Sequence, residues 1–412
     1  MIHQCLSDIL NLKRLPLGEL GFFYGGLSGK SKEDFEDGNG RFVPYMNVFS
    51  NFSVDINNLG EVNVEEDEHQ NKIEYGDVLF TGSSETPDEC GMSSVMLDKV
   101  EDDSPIYLNS FCFGFRFNDL SQIYPAFYKH LFRSNKIRKE IGKTANGVTR
   151  FNITKKLFAK ILIPLPSLEQ QKEIAGKLDI FTSIISKLDE EIELRIKQFE
   201  YYRDEILRFD NDNEVVWSPL DEIKLSLKTG LNPRQNFKLN TEGATIPYVT
   251  GKEIFNNRIN ITDKTDKIDA KALALINRRA CLEDNLLLFA STGCSTVGRM
   301  AVVDKYNGDW AISETLYAIK FRKDINPIFI MHCLYADGMK KQYENKISRG
   351  SVPHLKVADL LKVQIPLCSP QKQEQVVAKL DAFTSLIANL QEERDLRQKQ
   401  YEYYREKLLT FE

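Results

Sequence analysis

Long apolar runs are missing from this 412-residue sequence, and no stretch approaches the ~18–20 uninterrupted apolar residues that cross a bilayer. A membrane-embedded protein is therefore not expected. Met1-Ile2-His3-Gln4-Cys5 has neither the basic start nor the apolar run of a signal peptide. Cysteine is scarce and scattered: the seven thiols, at 5, 90, 112, 281, 294, 333 and 368, are odd in number and show no CxxC spacing. That excludes a disulfide framework and a cysteine zinc site, and suits free thiols in a reducing cytoplasm. The five histidines (3, 69, 130, 332, 354) are dispersed, without HExxH spacing, and no GxSxG occurs. A basic excess is also lacking. The formal charge is −6, which by composition alone weighs against a nucleic-acid binder. What is present is an ordinary globular balance, 42% apolar and 28% charged residues. At ~150 residues per domain it fits two or three domains.

The informative feature is an internal repeat. Gln171–Phe209 and Gln373–Phe411 align at an offset of 202 residues, and Leu168–Phe209 against Pro370–Phe411 gives 21 identities in 42 positions. Each copy follows a short Pro-flanked extended segment, Ile161–Pro166 and Val363–Leu367. Weaker correspondences lie upstream. Val43-Pro44-Tyr45 answers Ile246-Pro247-Tyr248, and Val78–Thr81 answers Leu287–Ala290. Tyr124-Pro125-Ala126-Phe127 answers Asn326-Pro327-Ile328-Phe329, and Gly147 answers Gly350. Each half is thus a variable globular segment followed by a strongly repeated helix. Similar scaffolds with divergent loops are expected of two copies that recognise different things; drift without a change of target is the alternative.

Ile174, Leu178, Phe181, Ile185, Leu188, Ile192, Phe199, Tyr202, Ile206 and Phe209 form a heptad seam broken by Arg195. Val376, Leu380, Phe383, Ile387, Leu390, Tyr401, Tyr404, Leu408 and Phe411 repeat it, with Arg394 and Arg397 as interruptions. A helix of this length, about 63 Å at ~1.5 Å per residue, would leave its seam in water unless paired. The obvious partner is the other copy. Spacing alone leaves parallel and antiparallel pairing open, and a plain dimerisation coiled coil remains the simplest reading of the heptads by themselves.

The globular segments read as α+β. Phe111, Phe113, Phe115 and Phe117 alternate with Cys112, Gly114 and Arg116, the period of a strand with one apolar face. Thr315, Tyr317, Ile319 and Phe321 alternate at the matching place. The Gly-bearing turn Ser291–Arg299 lacks the spacing and lysine of a P-loop, which favours a tight structural turn over a phosphate cradle. Before each Ile-Pro segment lies a loop of cationic and amide side chains, Lys143–Arg150 and Lys346–Lys356. These residue types reach phosphates and base edges. The acidic run Glu65–Glu68 has no counterpart in the second half and reads as a solvated loop. His130 and His332, among apolar helix residues, read as core histidines.

Two variable segments, each ending in an Ile-Pro-Leu-type turn, a Gln-Gln-Lys-Glu-Ile-like helix start and a Tyr-Tyr-Arg-x-x-Ile/Leu-Leu-x-Phe helix end, resemble the specificity subunit of type I restriction-modification systems. The likeness covers nearly the whole chain and is strongest at Leu165–Phe209 and Leu367–Phe411. Thr229-Gly230-Leu231-Asn232-Pro233 resembles the Gly-x-x-Pro turn that opens a target-recognition domain; in the first half Gly29-Lys30 stands where the proline would be, and Thr81–Ser84 is a shortened match to Ser291–Arg299.

The resemblance implies an α+β fold with two target-recognition domains in pseudo-twofold arrangement, joined by two long helices forming an antiparallel coiled coil. The expected bounds are 1–165 and 211–367 for the domains, and 166–210 and 368–412 for the helices. It also implies a non-catalytic, cytoplasmic subunit with no cofactor or metal of its own. Each domain would read one half of a bipartite site in double-stranded DNA, with the helices as spacer. The partners would be two methyltransferase subunits binding S-adenosylmethionine and, through them, restriction/translocase subunits using ATP and Mg. Candidate DNA contacts are Lys30, Arg41, Asn146, Thr149 and Arg150 in the first half, and Arg234, Lys252, Arg299, Arg349, His354 and Lys356 in the second. Tyr202 and Tyr404 fall in the seam; Tyr201, Arg203, Tyr403 and Arg405 point off it and are candidates for subunit docking. A fused methylating enzyme would need Asn/Asp-Pro-Pro-Tyr/Phe, and neither Asn232-Pro233 nor Asn326-Pro327 continues that way. A coiled-coil scaffold with two adhesive domains is the third class, separable by co-purification with a methyltransferase.

Overall fold

The computed structural model describes residues 12–36, 38–65, 67–100, 104–210, 214–304, 306 and 309–411. His3, Cys5 and Glu66 lie outside them. The chain divides into two compact units, Met1–Asp189 with Glu392–Glu412, and Glu190–Gln391. Each contains one variable segment and half of each long helix.

In unit one the segment is clasped at its ends. Lys13–Pro16 pairs antiparallel with Leu162–Leu165, so proline-bearing strands open and close the domain. The next strand, Gly21–Gly25, is the edge of a four-stranded sheet that continues through Cys112–Phe117 and Val78–Thr81 to Ser93–Val95. A second sheet of three strands holds Gly40–Val43 between Gly60–Val62, antiparallel, and Ile106–Leu108, parallel.

The expectation of one apolar face on the phenylalanine strand needs correction. Phe113, Phe115 and Phe117 pack into the cluster that includes Phe127, Tyr128 and Phe132, whereas Cys112 is buried in a separate cluster with Val43, Val48 and Leu79. A strand central to a sheet is covered on both sides, so its small residues, Cys112 and Gly114, are interior as well. Phe111, just before the strand, is exposed.

Unit two repeats this plan. Val216–Pro219 pairs with Gln364–Leu367. The four-stranded sheet runs Lys224–Thr229, Leu316–Phe321, Leu287–Ala290, Met300–Val302. The three-stranded sheet sets Ile246–Val249 between Lys267–Ile268 and Ala311–Ile312. One repeat-related position diverges: Pro44 leads into a helix, Tyr45–Ser50, whereas Pro247 and Tyr248 lie within a strand.

The long helices are Leu168–Ile206 and Pro370–Leu409, 39 and 40 residues. At ~1.5 Å per residue each is about 60 Å long. Within unit one they run antiparallel, because Phe181 stacks on Tyr404 (centroids 5.3 Å apart) while the later Asp189 accepts from the earlier Arg394 Nε at 3.0 Å. Within unit two the repeat-related pair, Tyr202 on Phe383, stacks at 5.5 Å. The seam tyrosines therefore pack as expected, although Tyr202 and Tyr404 keep about two-fifths of their surface in solvent.

A buried glutamine fixes each helix start to its domain. Gln171 Oε1 accepts from the Tyr124 amide at 2.8 Å, and its Nε2 donates to Gln122 O and Pro166 O, both at 2.9 Å. Gln373 repeats the triad with Asn326 N (2.8 Å), Asp324 O (3.2 Å) and Cys368 O (2.9 Å). The helices that receive them, Pro125–Leu131 and Pro327–Tyr335, both open with proline, which suits a first turn whose N–H groups lack intrahelical partners.

The core histidines differ between units. His130 is fully buried, with Nδ1 3.0 Å from Tyr401 Oη and Nε2 2.6 Å from Asp179 Oδ1. His332 is also buried but has Phe199 beside it where His130 has Tyr401. Among the described residues Cys90, Cys112, Cys281, Cys294, Cys333 and Cys368 are free thiols, and no helix is long and apolar enough to cross a membrane.

Candidate nucleic-acid interface

The cationic loop of unit one is the tip of a β-hairpin. Ala145–Asn146 pairs with Phe151–Ile153, which in turn pairs with Ser83–Ser84. Gly147 makes this tip possible: at φ +150° its position suits glycine, and a Cβ there would lie 1.8 Å from the Arg150 carbonyl oxygen. The tip presents Val148, Thr149 and Arg150 to solvent, with Val148 92% exposed. Arg150 and Thr149 make no hydrogen bond or ion pair among the described residues. Asn146 is exposed on the hairpin, its Nδ2 donating to Thr154 Oγ1 at 2.8 Å.

Arg150 also lines a cleft of about 380 Å³ together with Tyr45, Met46, Ser83, Glu85 and Phe111. The Tyr45 hydroxyl donates to Ser83 O at 2.7 Å, and its ring stacks on Phe49. Two half-buried arginines brace segments that wall this cleft. Arg133 donates to four carbonyls, Ser93 O (2.9 Å), Val48 O (3.3 Å), Phe49 O (2.9 Å) and Asn51 O (2.8 Å). Its charge sits at the C-terminal end of the helix Tyr45–Ser50, where a cation is favoured. Arg138 donates to Asp88 O, Cys90 O and Gly91 O, fixing the loop after Glu85. Burial pushes both guanidinium pKa values down to about 10, which leaves both protonated at neutral pH.

The other unit-one candidates separate by geometry. Arg41 is exposed on Gly40–Val43 and reaches Ser104 Oγ at 2.9 Å. Lys30 is turned inward: its side chain is 4% exposed and its ammonium lies 2.5 Å from Glu68 Oε2. That ion pair gives Glu68 of the acidic run a structural task and closes Lys30 to a phosphate.

In unit two the loop 346–356 folds onto the Ser291–Arg299 turn. Thr292 and His354 form a β-bridge, and His354 Nδ1 lies 2.8 Å from Thr292 Oγ1. The Gly293 amide donates to Pro353 O at 2.9 Å, and Thr296 Oγ1 to Thr292 O at 2.8 Å. Gly293 has φ +122°, and a Cβ would meet Thr296 Oγ1 at 2.1 Å. With the Gly293 N–H engaged by a carbonyl, this segment is a closed structural turn. Arg299 is half-buried and donates to Ile254 O at 3.1 Å, so it braces the fold. Arg234, Lys252, Arg349 and Lys356 are exposed.

On the helices Tyr201 and Tyr403 are the exposed members of their pairs, each about three-fifths in solvent. Arg203 and Arg405 are not free: each side chain is only 11% exposed, each bonds the acid that follows it, and each lies over a ring, Phe199 or Tyr401. Leu194 and Leu396, identical in the repeat and exposed one heptad before Tyr201 and Tyr403, belong to the same faces and were passed over in the sequence because they fall off the seam. The cleft side chains Met46, Glu85 and Phe111 carry no sequence signal, since exposure decides their availability. Arg133, in the turn between two helices, and Arg138 carry no sequence signal either. The glutamines did leave a trace, as Gln171 and Gln373 are the first identity between Leu168–Phe209 and Pro370–Phe411.

The comparisons with known proteins converge. The family described as "Type I restriction modification DNA specificity domain" matches residues 16–198 and again 217–396. The specificity subunit of the Escherichia coli EcoR124I/EcoR124II type I restriction enzyme is 30% identical over 267 residues, 61% of this chain; the match spans 63% of that relative's length. A putative MjaX specificity subunit of Methanocaldococcus jannaschii is 25% identical over 98% of this chain and 92% of its own. Among solved structures, the S subunit of a Mycoplasma genitalium type I system aligns with TM-score 0.54 and 16% identity over 97% of this chain and 96% of that one. A chain from a study of complex assembly and conformational transition in a type I restriction-modification system aligns with TM-score 0.60 and 16% identity over 97% of both chains. These two neighbours share the fold, and the doubled family match covers most of the sequence. This chain belongs to the type I restriction modification DNA specificity domain family and carries that domain twice.

Proposed function

We propose that the chain reads a bipartite, asymmetric double-stranded DNA sequence, one half per recognition domain (1–165 and 211–367). The paired helices (166–210 and 368–412) set the number of unread base pairs. The observation that carries this reading is the contrast within the repeat. The clasp, both sheets and the buried glutamine recur, whereas the solvent-facing tips differ: Val148-Thr149-Arg150 in one unit, Arg349-Gly350-Ser351-Val352 in the other. A common scaffold with different tips is what reading two different half-sites requires.

The contacts proposed are Arg41, Asn146, Thr149 and Arg150 in the first domain, and Arg234, Lys252, Arg349, His354 and Lys356 in the second. The exposed Tyr201 and Tyr403, with Leu194 and Leu396, form the faces that dock two methyltransferase subunits. Arg203 and Arg405 support those faces by holding the helix surface. S-adenosylmethionine then belongs to the methyltransferases, and ATP and Mg to restriction/translocase subunits recruited through them. The setting is cytoplasmic. A net charge of −6 fits this division, because non-specific affinity scales with the phosphates neutralised and the partners supply most of that clamp.

The test is co-expression with methyltransferase subunits followed by methylome sequencing with and without this chain. The expected result is one interrupted motif, modified only when the chain is present. A continuous motif, or modification independent of the chain, would refute the reading.

A further inference from the structure

The cleft of unit one has a composition that a phosphate-binding surface would avoid. Arg150, a free cation, shares it with Glu85, an exposed carboxylate that makes no hydrogen bond or ion pair among the described residues. Met46 and Phe111, 60% and 62% exposed, supply apolar surface beside them. A carboxylate repels the DNA backbone, so a cleft that presents one has an electrostatic preference for something carrying amino donors. In the major groove, cytosine presents an N4 amino donor, which Asp and Glu accept. Guanine in the same pair presents O6 and N7 acceptors to Arg. A free donor and a free acceptor in one cleft match that edge, and a phosphate matches only the first.

The cleft is also prepared in advance. Arg133 holds the helix that bears Tyr45 and Met46, Arg138 holds the loop that follows Glu85, and Tyr45 is tied to Ser83. Walls fixed by guanidinium groups that each bond several carbonyls lower the ordering cost of binding. They also allow the small geometric tolerance that distinguishes one base pair from another.

From this we infer that Glu85 is a specificity-determining residue of the first recognition domain. Glu85 accepts from a cytosine amino group while Arg150 donates to guanine, so the cleft reads the major-groove edge of a G·C pair. This rests on the DNA-reading function proposed above and adds the residue and the base chemistry. In unit two the repeat-related turn offers Cys294 in place of Glu85, so the signature belongs to one half-site only.

The experiment uses the full chain assembled with its methyltransferase subunits. Binding is measured against a panel of duplexes in which every position of the wild-type motif is substituted singly. Glu85→Ala, Glu85→Gln, Arg150→Ala and, as the other-domain control, Arg349→Ala are compared. The expectation is that Glu85→Ala lowers discrimination by about 5- to 150-fold at one G·C position. Glu85→Gln, which keeps an acceptor oxygen, restores part of it. Arg150→Ala acts at that same position, an effect at a different pair overturning the shared-pair reading, and Arg349→Ala acts in the other half. If the wild-type complex discriminates but Glu85→Ala changes nothing, or weakens every duplex equally, the inference fails while the proposed function stands. If the wild-type complex shows no interrupted motif, the proposed function fails first.

Discussion

Replacing Gln171 by methionine removes a side chain of similar length that satisfies three backbone groups at once. Gln171 is fully buried, so no water takes over. The Tyr124 amide loses its acceptor, and the carbonyls of Gln122 and Pro166 lose donors, all from bonds of 2.8–2.9 Å. A buried polar group left without a partner costs about 1–3 kcal/mol. Three groups at the low end of that range give about 3 kcal/mol, since carbonyls tolerate loss better than an amide. A local loss of that size raises opening of the affected segment by roughly 100-fold. Hydrogen exchange read by mass spectrometry resolves it: peptides covering 122–131 and 166–178 should exchange that much faster, and the corresponding peptides of unit two should be unchanged. Gln373→Met should give the reciprocal pattern at 324–335 and 368–380. Gln171→Glu should be at least as damaging, because a fully buried carboxylate facing the Gln122 and Pro166 carbonyls carries an uncompensated charge. Acceleration below about 5-fold, or spread evenly over both units, would show that the glutamine does not join helix to domain.

Burial holds the His130 imidazole below its usual value, outweighing the Asp179 carboxylate that pulls it upward. A depressed folded value means that the stability this group contributes is full above its unfolded pKa of ~6.5 and is lost as the pH falls below it. The stability of unit one, followed by urea titration from pH 8 to 5, should fall below pH ~6.5, and His130→Asn should flatten that slope; equal slopes would refute the assignment. Arg133→Met strips four carbonyls of a charged donor and should cost on the order of 3 kcal/mol in unit one, read as a lower urea midpoint; a change under ~0.5 kcal/mol would mean the carbonyls find other partners. Seven residues inserted at matched positions in both long helices add about 10.5 Å, or about three base pairs at ~3.4 Å each, to the gap in the methylated motif. A gap that stays constant would exclude the helices as the spacer.

The long helices were the most legible part of the sequence, because their packing is periodic and duplicated: Leu178, Ile185, Leu380 and Tyr401 are buried where the heptads put them. The strands around Val78, Cys112, Leu287 and Leu316 were legible in position but not in their number of covered faces, which depends on what a sheet packs against. The cationic hairpin was found by residue type and by its recurrence. The candidate cations of the whole chain then separate on grounds that only the fold supplies. Arg150 is free, whereas Lys30 has Glu68, Arg299 has the Ile254 carbonyl, and Arg203 and Arg405 have rings and neighbouring acids. Cation identity is written in the sequence; which cations are already satisfied is set by contacts distant along the chain, as with Lys30 and Glu68, 38 positions apart.

The pairing of Lys13–Pro16 with Leu162–Leu165, and of Val216–Pro219 with Gln364–Leu367, brings the entry and exit of each domain side by side. A module whose two borders are adjacent can be cut out and replaced at one place on the scaffold, with little loop entropy at stake and no demand on the length of the insert. New target preferences are therefore open to this architecture through exchange of whole cassettes at the proline-bearing borders, while the helices and their glutamine fastenings stay as they are.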